Sequence, residues 1–199
     1  HILFFLTFSK NEFLYYLITS IENQIFQNMI AQELLNPKSI VVVGASGDTH
    51  KPGGSVLKNL INSNFKGEIY TVNPKETEVQ GIKCFQKVDD LPQVDCAIIA
   101  IAAKYCPATV NTLAFEKGTK GFIIVSAGFG EENEQGAEFE RQIVETVNKV
   151  GGSLIGPNCT GFLNRNYCGA FDAPSPTLDP QGVDFITGSG ATAVFIKEY

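Results

Sequence analysis

A glycine-rich loop follows a short apolar run near residue 40. The run is Ser39–Gly44 (SIVVVG), and the first loop, residues 44–54, reads GASGDTHKPGG. Such a turn between a strand and a helix presents backbone N–H groups at the helix amino terminus, where they attract phosphate. The first loop has neither the G-x-G-x-x-G spacing of dinucleotide-binding turns nor the GK[ST] of a Walker loop. We predict a phosphate-binding turn of another kind, with a tight turn lacking a ligand as the alternative.

A lysine closes the second apolar run. Glu68–Val72 is followed by Asn73, Pro74 and Lys75. NAD-binding domains carry an acidic residue at this place, where it accepts the ribose hydroxyls. A cation instead suits a phosphorylated ribose, such as the 3′-phosphate of CoA or the 2′-phosphate of NADP. A lone lysine is also commonly a solvated surface residue, so both interpretations of Lys75 stay open.

Small residues end two further apolar runs, at Ala100–Ala103 and at 126–129 (SAGF). They let a slim ligand arm approach the backbone, although tight packing alone would also require them. Residues 156–161 (GPNCTG) form a rigid polar turn in which Asn158 could hydrogen-bond an amide-bearing ligand. Cys159 is a candidate nucleophile, but no histidine lies near it in sequence, so a structural thiol is the favoured interpretation.

Strand and helix patterns alternate from residue 30 onward. Strands are predicted at Ser39–Gly44, Glu68–Val72, Ile82–Phe85, Val94–Ala102, Gly121–Ser126 and Ser153–Ile155. Helices are predicted at Ser55–Ile61, Pro107–Lys117 and Glu131–Val150. This alternation predicts right-handed crossovers and an α/β fold with a Rossmann-like, doubly wound parallel sheet. Ligands on such sheets bind at the carboxyl ends of the strands, where the residues above fall.

Composition excludes several classes of protein. Hydrophobic residues make up 44% and charged residues 18%, so the chain can bury a core. Fifteen basic against 21 acidic residues give a net charge of -6 without a basic run. That balance disfavours nucleic acid or an anionic membrane as a partner. Five cysteines without a CxxC pair, and only two histidines, give no zinc-ligand spacing and indicate reduced thiols in a cytoplasmic protein.

The sequence divides into four segments. Residues 1–29 form an N-terminal extension; we hypothesise that Met29 is the initiator and that upstream sequence was read through, with an added amphipathic helix as the alternative. Residues 30–163 form the Rossmann-like domain. Three prolines in 164–182 indicate a linker. In 183–199 a strand, a Gly-Ser-Gly turn and a helix pattern begin a second, flavodoxin-like α/β domain, so we expect the sequence to be a fragment.

Five motifs occur in order at the predicted strand ends. They are GAS-xxxx-K-x-G, VNPK, AIIAIAA, SAGFGE and GPNCTG. Together they resemble the CoA-binding domain of ADP-forming acyl-CoA (acetyl-CoA) synthetases and, less closely, the alpha subunit of succinyl-CoA ligase. The resemblance covers roughly Leu34 to Lys197.

The resemblance implies that residues 30–163 bind coenzyme A and that residues 183–199 begin a succinyl-CoA-synthetase-like domain. The implied CoA phosphate contacts are Gly44, Ala45, Ser46 and Lys51, with Gly53 and Gly54 allowing the turn. The other implied CoA contacts are Asn73, Pro74 and Lys75 around the phosphorylated ribose, Ala102, Ala127 and Gly128 along the adenine and pantetheine path, and Asn158 near the pantetheine arm. Ser189 and Gly190 would open a helix whose amino terminus faces a phosphohistidine.

The resemblance also implies an activity for the whole protein. Such enzymes pass a phosphoryl group from ATP through a histidine to make an acyl phosphate, which CoA attacks. Neither His1 nor His50 matches the histidine motif, and the ATP-grasp region is missing. We therefore expect an acetate–CoA ligase that uses ATP/ADP and Mg in other regions, while residues 1–199 alone are inactive.

The expected partners are CoA and a carboxylic acid, in a homo- or hetero-oligomer, without nucleic acid or membrane. Two alternatives stay open: a CoA-sensing module fused to a protein acetyltransferase, and an NAD(P)-binding Rossmann protein. The lysine at the end of the second run and the absent G-x-G-x-x-G argue against the second alternative.

Overall fold

The computed structural model describes residues 2–3, 30–63, 65–171, 178, 187–189 and 192. Most of the N-terminal extension, of the linker and of the predicted second domain lies outside these residues. The predictions for those segments therefore stay predictions. Among the described residues, no helix has both the length and the apolar character needed to cross a bilayer.

Nine strands are present in the described part of the chain. They are β1 (Ile2–Leu3), β2 (Ser39–Val43), β3 (Glu68–Val72), β4 (Glu78–Val79), β5 (Ile82–Phe85), β6 (Cys96–Ile99), β7 (Gly121–Ile124), β8 (Ser153–Ile155) and β9 (Leu163–Asn164). Seven of them form one sheet in the order β4-β5-β3-β2-β6-β7-β8, while β1 pairs with β9. All pairs in the large sheet are parallel except β4 with β5. The predicted parallel sheet is confirmed; β4 was not predicted.

The central strands are buried on both faces. In β2, Ile40 and Val42 pack into one apolar cluster, while Val41 and Val43 pack into a second cluster on the opposite face. This follows from the two-residue period of a strand, which sends successive side chains to opposite sides. A strand that is buried on both faces has apolar residues at successive positions. This explains why apolar and polar residues do not alternate in SIVVV.

Helices cover both faces of the sheet. They are α1 (Gln32–Leu35), α2 (Pro52–Asn62), α3 (Cys106–Glu116) and α4 (Glu134–Lys149), with short 3-10 turns at Val88–Asp90 and Ala103–Tyr105. Helix α2 packs Val56, Leu57 and Leu60 against one face. Helices α3 and α4 pack against the other, which makes the sheet doubly wound as predicted.

Two helix starts differ from the prediction by three residues, whereas α3 begins one residue before the expected Pro107. Helix α2 begins at Pro52, ahead of the expected Ser55, because proline suits the first helical position, where its missing N–H costs nothing. Helix α4 begins at Glu134, after the expected Glu131. The side chain of Asn133 accepts a hydrogen bond from the Gly136 N–H at 2.9 Å and caps the helix there.

The chain after β8 returns across the sheet and packs on α1 and α2. The Tyr167 hydroxyl donates to the Leu34 carbonyl at 2.7 Å, and Asn59 Nδ2 donates to the Ala170 carbonyl at 2.8 Å. The Ser55 hydroxyl donates to the Phe171 carbonyl. Tyr167 is only 1% exposed. The packed part of the domain therefore continues to Phe171, beyond the boundary at residue 163 that the sequence predicts.

Candidate functional site

The first loop starts with a close approach between two backbone segments. Gly44 lies at the end of β2 with φ +87, and a Cβ there would sit 2.4 Å from the Ala100 carbonyl oxygen. Its N–H donates to the Val72 carbonyl at 2.9 Å. Only glycine fits this conformation and spacing without strain. The first loop is thereby held against the ends of β3 and β6.

The first turn of α2 is packed directly under the first loop. A Cβ at Gly53 would lie 2.1 Å from the Gly44 carbonyl oxygen, and one at Gly54 would lie 2.0 Å from the Asp48 carbonyl oxygen. Glycine is a poor helix former. The two glycines in this first turn are explained by the close backbone contact, which leaves no room for a side chain. The close contact brings the amino terminus of α2 to the carboxyl edge, the edge where the parallel strands end.

The amino terminus of α2 is left without a side-chain cap. Lys51 occupies the N-cap position, and no acidic residue lies in the first turn. Helix α4, by contrast, has both Asn133 as cap and Glu134 in its first turn. An uncapped helix start carries positive partial charge on its N–H groups, and the Lys51 ammonium adds a full positive charge. This end of α2 therefore favours an anionic group.

The loop after β3 is tied to the first loop by an asparagine. Asn73 Nδ2 donates to the Ala45 carbonyl at 2.8 Å, and Asn73 Oδ1 accepts from the Lys75 N–H at 2.9 Å. Pro74 and Lys75 are exposed at this turn. The structure thus places Lys75 on the loop adjoining the first loop, with its backbone fixed and its side chain in solvent.

The loops after β6 and β7 are also in contact. A Cβ at Gly128 would lie 3.3 Å from the Ala103 Cβ. Ala102, just before the 3-10 turn, and Ala127 are both exposed. These small residues leave the backbone accessible along the carboxyl edge.

The turn after β8 lies beside these loops at the carboxyl edge of the sheet. The Asn158 N–H donates to the Ser126 carbonyl at 2.9 Å, and Asn158 itself is exposed. The loops after β3, β2, β6, β7 and β8 therefore lie side by side in sheet order. Twelve of the predicted contact residues, from Gly44 to Asn158, are brought to one edge of the sheet in this way.

Ser189 and Gly190 were predicted to bind a phosphate. Gly190 lies outside the described residues. The Ser189 hydroxyl oxygen accepts from the Thr192 N–H at 3.3 Å, as the serine of a helix N-cap does. No contact between Ser189 and the carboxyl edge is present among the described residues, so its role stays a prediction.

Cys159 is buried beneath the same turn. Its thiol donates to the Ile124 carbonyl at 3.3 Å, and the residue is 8% exposed. Burial raises the pKa of the Cys159 thiol to about 12. Because the thiolate is the reactive form, the raised pKa disfavours Cys159 as a nucleophile at neutral pH. This supports the structural thiol predicted from the sequence.

Reaction with a thiol reagent checks this assignment. All five cysteines are buried, and the pKa values of Cys96 and Cys106 are also raised to about 12 by burial. We expect no rapidly reacting thiol when native protein meets a disulfide reagent at pH 7.5, and five after denaturation. One fast thiol, mapped to Cys159 by peptide analysis, would restore the nucleophile interpretation.

Two residues at this edge were not predicted as site residues. Gln80 Nε2 donates to the carbonyls of Ser46 and Gly54, both at 2.9 Å. The carboxylate of Glu131 accepts from the N–H groups of Gly128 at 2.8 Å and Phe129 at 3.2 Å. Partial burial acts to raise the pKa of Glu131, but these backbone hydrogen bonds outweigh it and lower that pKa. Both contacts hold site loops in place.

The sequence signals for these two residues differ in strength. Glu131 is the last residue of the SAGFGE motif, and its membership in that motif is a signal that it belongs to the site. The helix pattern, however, placed Glu131 at the start of α4. Gln80 is followed by glycine between two short strands, but this hairpin signal is weaker than Asn-Gly. Both of its contacts lie in the first loop, 34 and 26 residues away along the chain, so only the fold reveals them.

The fold and this row of loops define a Rossmann-like α/β domain with a ligand site at the carboxyl edge of its sheet. A family model described as CoA binding domain matches residues 38–165. The chain therefore belongs to the CoA binding domain family.

Comparison with individual proteins places the chain among ligase domains. It is 46% identical over 162 residues to ADP-forming acetate–CoA ligase II of Archaeoglobus fulgidus, covering 80% of this chain and 24% of that protein. It is 42% identical over 158 residues to subunit alpha of ADP-forming acetate–CoA ligase II of Pyrococcus furiosus, covering 78% and 34%.

A solved structure gives the same picture. The acetyl-coenzyme A synthetase 1 of Ca. Korarchaeum cryptofilum, in complex with phosphate and ADP, matches with a TM-score of 0.77 and 34% identity. The match covers 86% of this chain and 36% of that one. The chain is thus a CoA-binding domain homologous to ADP-forming acetate–CoA ligases, and it spans about a quarter to a third of the length of these two curated relatives. The acetyltransferase-linked and NAD(P)-binding alternatives are not favoured.

Proposed function

We propose that CoA lies along the carboxyl edge of the sheet, with its phosphates on the first loop and its pantetheine arm running toward Asn158. The observation that carries this proposal is the uncapped amino terminus of α2, with Lys51 at its N-cap and no acid in its first turn. The phosphates of CoA supply the negative charge that this helix end favours.

The remaining assignments follow the order of the loops. Asn73, Pro74 and Lys75 surround the phosphorylated ribose, because they adjoin the first loop through the hydrogen bond to Ala45. Ala102, Ala127 and Gly128 line the path of the ligand, where small side chains leave room beside the backbone. Asn158, on the exposed turn after β8, offers its amide to the amide groups of the pantetheine arm.

We further propose that the whole protein is an ADP-forming acyl-CoA ligase of the acetate–CoA ligase type. The relatives bear that name, and two of them are named as alpha subunits, which supports assembly with other subunits. ATP and Mg would act in regions outside residues 1–199. Ser189 and Gly190 would stabilise the phosphohistidine of the full enzyme through helix N–H groups. Within residues 1–199, CoA binding is the proposed activity.

Titration with CoA and with NADH tests the binding proposal. Calorimetry on the chain should show saturable binding of CoA and none of NADH at the same concentrations. The preference for CoA follows from Lys75 standing where NAD-binding domains carry an acid. Binding of NADH in place of CoA would overturn the proposed ligand.

A further inference from the structure

The hairpin formed by β4 and β5 reaches over the first loop. Its strands pair Glu78 with Lys83 and Val79 with Ile82, which leaves Gln80 and Gly81 as the two turn residues. Both have positive φ, 51 and 81, which is the geometry of the tight two-residue hairpin turn that matches strand twist. The turn therefore fixes where the Gln80 side chain leaves the hairpin.

The Gln80 side chain joins two backbone segments of the first loop. Its Nε2 donates to the carbonyl oxygens of Ser46 and Gly54, each at 2.9 Å. Both neighbours are hydrogen-bond acceptors, so only the NH₂ end of the amide satisfies them. One side chain from the sheet edge thus connects the middle of the first loop to the first turn of α2.

This contact sets the direction of a backbone N–H. In a trans peptide the carbonyl and the N–H point in opposite directions. Holding the Ser46 carbonyl on Gln80 therefore turns the Gly47 N–H away from the hairpin. None of the described residues accepts a hydrogen bond from the Gly47 N–H. An oriented donor of this kind beside the start of α2 suits a phosphate oxygen.

We infer that Gln80 is a positioning residue for the first loop, acting on phosphate binding without touching the ligand. The inference rests on the proposed CoA function. The amide must donate to both carbonyls to hold the loop, so a side chain of similar size without donors leaves it loose. A carboxylate at this position would face two carbonyl oxygens and repel them.

The test compares Gln80→Leu and Gln80→Glu with Lys83→Ala, an exposed change on the same hairpin. For Gln80→Leu we expect the Kd for CoA to rise by about tenfold, which corresponds to two ordinary hydrogen bonds, and for Gln80→Glu by at least as much. Lys83→Ala should match the wild type. Hydrogen exchange of the whole chain should accelerate in residues 44–57 of both Gln80 variants but not in α4.

The outcomes separate the two proposals. A wild type that binds CoA, together with a Gln80→Leu variant whose affinity and loop exchange are unchanged, overturns the positioning role. A wild type that does not bind CoA overturns the proposed ligand. In that case the exchange of residues 44–57 still decides whether Gln80 holds the first loop.

Discussion

Gly54→Ala is expected to raise the Kd for CoA by about a hundredfold or more and to lower the free energy of unfolding by about 1–3 kcal/mol. The added methyl would lie 2.0 Å from the Asp48 carbonyl oxygen and 2.9 Å from the Ser46 carbonyl oxygen. Alanine gains about 1 kcal/mol over glycine inside a helix, but a clash with backbone outweighs that gain. The first loop must move, and the phosphate contacts proposed for it, worth about 1.5–3 kcal/mol each, would be lost together.

A matched control lies on the same helix. Lys58 is exposed in α2, beyond its first turn, so Lys58→Ala should change the stability by less than about 0.5 kcal/mol and leave CoA binding intact. Thermal unfolding and calorimetry on the two variants give the comparison. Equal CoA affinity in Gly54→Ala and the wild type would show that the packing of α2 under the first loop does not form the phosphate site.

Lys75→Ala is expected to raise the Kd for CoA by roughly tenfold to a hundredfold. The Lys75 N–H is fixed on Asn73 Oδ1, which holds the lysine beside the first loop. A charge-assisted contact with phosphate contributes about 1.5–3 kcal/mol, and its loss gives this change in affinity. Lys87 follows β5, which β3 separates from β2 and the first loop, so Lys87→Ala serves as the control with equal loss of charge.

Dephospho-CoA identifies the phosphate that Lys75 contacts. This ligand lacks the 3′-phosphate, so it should bind the wild type more weakly than CoA does. It should be nearly indifferent to Lys75→Ala, because the partner group is already missing. Calorimetry with both ligands closes a double-mutant cycle. If both ligands lose the same affinity on Lys75→Ala, the lysine acts elsewhere than at the ribose phosphate.

The sheet was predictable because its strands carry a strong local signal. Runs such as SIVVV and CAII are apolar throughout, as strands covered on both faces must be. Strand β4 has only two residues, Glu78 and Val79, which is too short for any periodicity to show. The start of α4 was placed too early because Glu131 suits a first helical turn, while in the fold its carboxylate binds the N–H groups of Gly128 and Phe129.

The candidate site was predictable in part for a related reason. Strand ends and glycine-rich turns are local features, and the rule for parallel sheets brings them to one edge. The contact between Gln80 and the first loop is not local, and a polar residue in a turn gives no sign of its partner. The same holds for the segment after β8. From the sequence, Asn164 and Tyr167 were predicted to lie in the linker, because their hydrogen-bond partners, the carbonyls of Leu35 and Leu34, are far away along the chain.

Helix α2 contacts both the first loop and the segment that follows β8. The first loop runs into the amino end of α2, and the hydroxyl of Ser55, the residue after the two packed glycines, donates to the Phe171 carbonyl. One helical turn further along, Asn59 Nδ2 donates to the Ala170 carbonyl. A displacement of the chain at Phe171 would therefore act on the same helix whose first turn packs under the first loop. A ligand on the first loop and a movement at Phe171 would thus be coupled through α2.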